Sequence, residues 1–249
     1  MKSQASGESW LANDSIQAAT LVALGSKIIS KLGEDLTLGH VSVRHQCGNL
    51  ISIKRKGISL AEVVPSDVLV VDLNDPDGLN VPGMHLEALI HLEIYKARPN
   101  VGAIIHSHPL YSTALSSTNA TMEYLTHDSV LFHDGLGRYT DSAHLITTTQ
   151  QGRRVAEALG QRRVVLLQNH GVVFVGEDIR WAILAATTLE RALKIQISAR
   201  QLGELNPMTL DDVKNIFPIK YQDKFLTEYW DRWVRALSEQ STSSRDHVG

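Results

Sequence analysis

Val101-Gly102-Ala103-Ile104-Ile105-His106-Ser107-His108-Pro109 is an apolar, β-branched run that ends in two histidines at alternate positions. Alternate residues of a strand leave the same face. His106 and His108 are therefore predicted to project together from a strand end. Imidazole nitrogens bind zinc at about 2.0–2.1 Å, so two neighbours on one face can close on one ion. An H-x-H pair also arises by chance, and the assignment needs a third ligand.

Outward from this run, apolar and polar positions divide the chain into short strands and helices. Upstream, residues 85–97 read as a helix with Glu87, His91 and Tyr95 at i, i+4 spacing on one face, ended by Arg98-Pro99-Asn100. Earlier still, Thr37–His45 alternates toward its end, Gly48-Asn49 signals a turn and Leu50–Ile53 pairs back as a hairpin. Val68–Leu73 is a further strand, followed by the turn Asn74-Asp75-Pro76-Asp77-Gly78. Residues 14–32 carry apolar residues at helical spacing, with Asp14 or Ser15 as N-cap and Gly33 as the stop.

Downstream, 114–117 suggests a short helix, Ser129–Phe132 a strand, and 150–159 an amphipathic helix. Val164–Leu167 is a buried-type strand that runs into Gln168-Asn169-His170-Gly171, and Val172–Val175 pairs with it or continues it. Asp178 caps a long helix to about Leu202, and a last helix covers Lys220–Leu237. The expected organisation is an N-terminal extension over 1–14, one domain over 15–237, and a disordered polar tail over 238–249. Hairpins alternate with helices without a regular βαβ cadence. This predicts a single layered α/β domain rather than a nucleotide-binding parallel sheet, and no glycine-rich phosphate motif is present.

Composition limits the function. A net charge of −3 over 249 residues gives no support for nucleic acid or an anionic membrane as partner. The single cysteine, Cys47, excludes an internal disulfide and a cysteine-only metal cluster. No secretion signal is read at the N-terminus, and no run approaches the roughly 20 apolar residues of a membrane span. A cytoplasmic protein is expected.

His170 follows a second buried strand and precedes Gly171, where the backbone must turn. With His106 and His108 it would complete a three-imidazole set with one coordination position open, the arrangement of a catalytic site. Glu87, on the helix before the H-x-H strand, is placed to bind the ion or act as a general base.

Glu87–Tyr95 through Arg98-Pro99, His106-Ser107-His108 and Asn169-His170-Gly171 together closely resemble the class II aldolase/adducin family. Gly39-His40-Val41-Ser42-Val43-Arg44 matches its N-terminal hairpin signature, and the resemblance covers roughly residues 15–200 in the family's motif order. It implies an α/β/α layered fold around a mainly antiparallel sheet, usually a homotetramer with active sites between subunits. His106, His108 and His170 would hold one divalent ion, commonly zinc, with manganese, iron or cobalt as alternatives, and Glu87 would be the catalytic acid/base. The implied chemistry is C–C cleavage. A head of this family that lacks the histidines is a structural module, and retention of all three here argues for an enzyme.

Sugar-phosphate members hold phosphate with a Gly-Asn pair, a Thr-Gly loop and a Ser-Ser pair before the glutamate. Here the corresponding positions are Gly39-His40, Lys56-Gly57 and His85-Leu86, which offer different donors and more bulk. The Gly-His-x-Ser-x-Arg form instead resembles the branch with decarboxylases of hydroxylated aromatic dicarboxylates. The expected substrate is such a small carboxylate, chelated through vicinal oxygens, with Arg44, Lys56 or His40 on its carboxylate. An aldolase or epimerase of a small sugar or sugar phosphate is the alternative. Counting along the loop after the H-x-H strand places His127 where aldolases carry a proton-donating tyrosine from the neighbouring subunit, with Tyr124 and His133 nearby. Tyr229, Trp230 and Trp233 of the last helix would line or cover the pocket, or pack in the core.

Overall fold

The computed structural model describes residues 2–32, 39–75 and 78–243. Gly33, Thr37, Leu38, Pro76, Asp77 and the last six residues of the expected tail lie outside them. The strands are β1 (His40–Arg44), β2 (Leu50–Lys54), β3 (Val68–Asp72), β4 (Ala103–Ser107), β5 (Gly137–Tyr139), β6 (Val164–Leu167) and β7 (Gly171–Gly176). They form one seven-stranded sheet in the order β3-β2-β1-β4-β7-β6-β5. Every pairing is antiparallel except β5 with β6.

The helices are α1 (Lys2–Ile29), α2 (Ala88–Ala97), α3 (Leu110–Ser116), α4 (Thr149–Leu159), α5 (Ile179–Leu202), α6 (Leu210–Lys220) and α7 (Asp223–Ser243). The period of two sorts the sheet's side chains into two cores. Val41, Val43, Ala103, Ile105, Val172 and Phe174 face one core, which includes α1 and α5 residues such as Val22 and Leu189. Ile51, Ile53, Ile104, Val173 and Val175 face the other, with Ile90 and Ile94 of α2 and Val155 of α4. Burying each such side chain contributes about 1.5–3 kcal/mol. Because both faces are covered, β4, β6 and β7 read as continuous apolar runs. The layered α/β expectation with a mainly antiparallel sheet is met.

Several local expectations are corrected. Asp14 does not cap a helix that starts beside it: α1 begins at Lys2. Asp14 is buried mid-helix, and its carboxylate accepts from the Gln46 backbone N–H at 3.0 Å, an interaction made with the first hairpin. Ser129–Phe132 forms a 3₁₀ turn rather than a strand; a four-residue apolar run does not distinguish the two. α6 was not foreseen, and Pro218 within it obscures the helical pattern. α7 extends to Ser243, past the residue where the tail was expected to begin. No helix among the described residues is long and apolar enough to cross a membrane.

Candidate metal centre and active site

β4 lies in the middle of the sheet and carries His106, fully buried, on the face covered by α2. His108 follows the end of β4 directly before Pro109, the residue that caps α3. His170 is the last residue of the tight connection from β6 to β7. There Asn169 takes φ = 56°, a left-handed conformation that asparagine tolerates better than most residues. Gly171 is required next to it, because a Cβ would overlap the His108 ring and lie 2.9 Å from the Ser107 carbonyl. Two strand ends thus deliver three imidazoles to one point.

One nitrogen from each of His106, His108 and His170 lies within 4.8 Å of the others. For a tetrahedral ion with bonds of about 2.1 Å, ligand atoms stand roughly 3.4 Å apart, so the three rings would draw together around an ion. The tautomer also fits. The Nδ1 of His106 is 3.0 Å from the Val172 carbonyl, to which it donates, so Nε2 carries the lone pair. That Nε2 is buried without a hydrogen-bond partner. Burial first, then the neighbouring His108, holds the His106 pKa well below its ordinary value and keeps the ring neutral, as a ligand must be.

Glu87 occupies the N-cap position just before α2 rather than a place inside the helix. Its Oε1 accepts from the Ile146 N–H at 2.8 Å. Oε2 stands 3.4 Å from His170 Nε2 and 3.8 Å from His106 Nε2. Burial opposes the charge on Glu87, but the His170 contact, His106 and the Ile146 N–H outweigh it and hold the carboxyl below its usual range. The result is an anchored carboxylate whose second oxygen faces the imidazoles.

The site opens on a cavity of about 560 Å³. Among the predicted substrate-binding residues, His40, Lys56, Gly57 and His85 line it together with Glu87, His108 and His170. Burial, followed by Lys54, lowers the His85 pKa to about 4, so this imidazole is uncharged at neutral pH. Leu86, Ala143 and Leu145 also line the cavity, and the exposed Leu86 and Leu145 form an apolar lip. Sequence reasoning missed Ala143, Leu145 and Ile146, because their segment has no regular structure and carries no motif.

Arg44 corrects an expectation. It sits at the other end of β1, four residues or about 13 Å along the strand from His40. Its guanidinium donates to the carbonyls of Val101 (2.9 Å), Gly48 (2.6 Å) and Tyr95 (2.6 Å), so it fixes backbone instead of reaching the cavity. His127 and Tyr229 are exposed and are not brought to this cavity within one chain. His127 adjoins Tyr221, whose hydroxyl donates to its carbonyl, and Tyr229 stacks on Trp233. Trp230 and Trp233 pack against the α1/α5 core.

The family model for the class II aldolase and adducin N-terminal domain matches residues 19–197. The meiotically up-regulated gene 14 protein of Schizosaccharomyces pombe is 31% identical over 177 residues, 68% of each chain. Decarboxylase NovR of Streptomyces niveus is 33% identical over 148 residues, 57% of this chain; the match spans 53% of that protein, about half its length. The L-fuculose 1-phosphate aldolase from Glaciozyma antarctica PI12 superposes with a TM-score of 0.77 over 92% of this chain and 91% of its own, at 24% identity, a likeness of fold. With a family match across most of its length and the three histidines gathered at one point, this chain belongs to the class II aldolase and adducin family.

Proposed function

We propose that this protein is a divalent-metal-dependent carbon–carbon lyase, a cytoplasmic decarboxylase of a hydroxylated aromatic mono- or dicarboxylate. The observation that carries the reading is the anchored Glu87 carboxylate beside three convergent imidazoles, at the head of a cavity walled by His85 and Leu86. Imidazole and isobutyl groups stand where sugar-phosphate enzymes of the family have two hydroxyls. The resemblance to a decarboxylase of Streptomyces niveus supports the same choice.

A divalent ion held by His106, His108 and His170, with zinc the first choice, would supply a Lewis acid that spreads negative charge from the carbon losing its bond. The chain's residues do the rest. The apolar lip of Leu86 and Leu145 contacts a flat ring. The Lys56 ammonium and His40, which both line the cavity, receive a carboxylate. The Ile146 N–H fixes Glu87 Oε1, so Oε2 is the atom that takes up or returns a proton. In a homotetramer, His127 of an adjacent copy would protonate the ring carbon after carbon dioxide departs, and Tyr229 would close the cavity.

The test is to load the protein with zinc or manganese and supply dihydroxyphthalates and hydroxylated pyridine dicarboxylates, measuring carbon dioxide. Sugar 1-phosphates are supplied in parallel, with an aldehyde assay. Carbon dioxide from a diacid is expected. Aldehyde from a sugar phosphate, with no carbon dioxide from any diacid, would replace this reading with the aldolase.

A further inference from the structure

Behind the cavity wall lies a chain of buried polar groups. His40, Ser42, His91 and Tyr95 are each no more than 1% exposed. His40 Nδ1 lies 2.7 Å from His91 Nε2, His91 Nδ1 lies 2.6 Å from Ser42 Oγ, and Ser42 Oγ lies 2.9 Å from the Tyr95 hydroxyl. Each contact holds one proton, and counting hydrogens gives the chain a direction. The Tyr95 hydroxyl has Ser42 as its side-chain partner. Among the described residues Ser42 Oγ is the one hydrogen-bond partner of that hydroxyl, and so it is the acceptor open to the phenol hydrogen. If Ser42 instead donated to Tyr95, the phenol hydrogen would be stranded in the interior, at a cost of about 1–3 kcal/mol.

Tyr95 therefore donates to Ser42, and Ser42 donates to His91 Nδ1. A neutral His91 then carries its hydrogen on Nε2 and donates it to His40 Nδ1. The remaining hydrogen of His40 must sit on Nε2, the nitrogen on the opposite edge of the ring, where His40 lines the cavity. His40 pairs in register with His106 across β1 and β4. The two rings have opposite tautomers: His106 keeps a lone pair on Nε2, whereas His40 presents an N–H. A nitrogen that carries hydrogen cannot ligate. The ring nitrogen of His40 lies within 4.8 Å of Glu87 and His106, but His40 stands outside the ligand set.

We infer that His91, oriented by Ser42 and Tyr95, is a positioning residue that locks His40 as a hydrogen-bond donor to an anionic substrate oxygen and bars it from the metal. The substrate half of this inference rests on the proposed reading of the cavity; the tautomer and the ligand exclusion do not.

The test uses zinc-loaded protein labelled with ¹⁵N in the histidine rings. Coupling across the His40–His91 hydrogen bond is expected with the shared proton on His91 Nε2, and His40→Ala is expected to retain one ion per chain. Phthalate, measured by calorimetry, serves as the carboxylate probe. His91→Leu should weaken its binding about tenfold, the loss of one charge-assisted hydrogen bond, and His91→Gln, which keeps an N–H donor, should restore it to within about twofold. A shared proton on His40 Nδ1, loss of the ion in His40→Ala, or equal phthalate binding in the Leu and Gln variants would overturn the inference. The spectrum of the unmutated protein decides the tautomer even if His91→Leu does not fold. If no diacid releases carbon dioxide while the proton sits on His91, the proposed reaction fails and the positioning role stands.

Discussion

Replacing Gly171 by alanine tests the site through a single methyl group. The added Cβ would overlap the His108 ring and lie 2.9 Å from the Ser107 carbonyl oxygen. Gly171 cannot retreat, because it pairs with Leu167 on one side while Val172 pairs with Ser107 on the other. The histidine ring must move instead, and metal ligands tolerate only about ±0.2 Å of displacement. Overpacking of this kind costs about 1–3 kcal/mol, and for a chain of this size each kcal/mol lowers the melting temperature by roughly 2–4 °C. Disturbing a group that merely orients a ligand weakens binding about 10–100-fold. Displacing the ligand itself should reach at least the upper end of that range. The assay is zinc affinity by competition with a chromophoric chelator, alongside thermal melting of the metal-free protein. A lower melting temperature with unchanged zinc affinity would refute the assignment of His108 as a ligand.

Three further outcomes follow from the same geometry. Glu87→Gln should lower turnover about 10²–10⁴-fold while elemental analysis still finds one ion per chain, since the change removes the proton carrier and leaves the imidazoles. Arg44→Lys should cost about 2–3 kcal/mol in denaturant unfolding yet leave phthalate binding unchanged, because Arg44 serves four backbone carbonyls far from the cavity. Asp128 accepts from Lys220 at 3.0 Å and Arg191 at 2.7 Å; burial opposes its charge, but those two cations hold its carboxyl below the ordinary value. A depressed folded-state pKa stabilises above the unfolded value and loses that contribution as pH falls through the folded one. Asp128→Asn should therefore cost about 1 kcal/mol at pH 7, since its partners are partly exposed, and match the parent protein once pH falls below the depressed folded-state pKa of Asp128.

The strongest signals in the sequence were those in which one residue type has one physical use. The β-branched run before His106 reads as a strand, and it forms β4 in the middle of the sheet. Asp178 was readable as a cap, and its carboxylate accepts from the N–H groups of Arg180 and Trp181. The convergence of His106 with His170 is non-local, and it came from motif order rather than from periodicity. Arg44 shows the limit of motif reading: its signature position is shared with the family, but its geometry serves the Val101 and Tyr95 carbonyls. The Ser42–His91 contact spans 49 residues, and no pattern within either segment announces it. Leu145 reached the cavity through irregular backbone, where spacing carries no information about direction.

The most direct measurement is anomalous X-ray scattering at the metal edge from crystals of the metal-loaded protein. One peak per chain is expected, about 2.1 Å from a nitrogen of each of His106, His108 and His170, with Glu87 alongside and His40 unbound. A peak elsewhere, or rings that point apart with no ion between them, would contradict the three-imidazole centre.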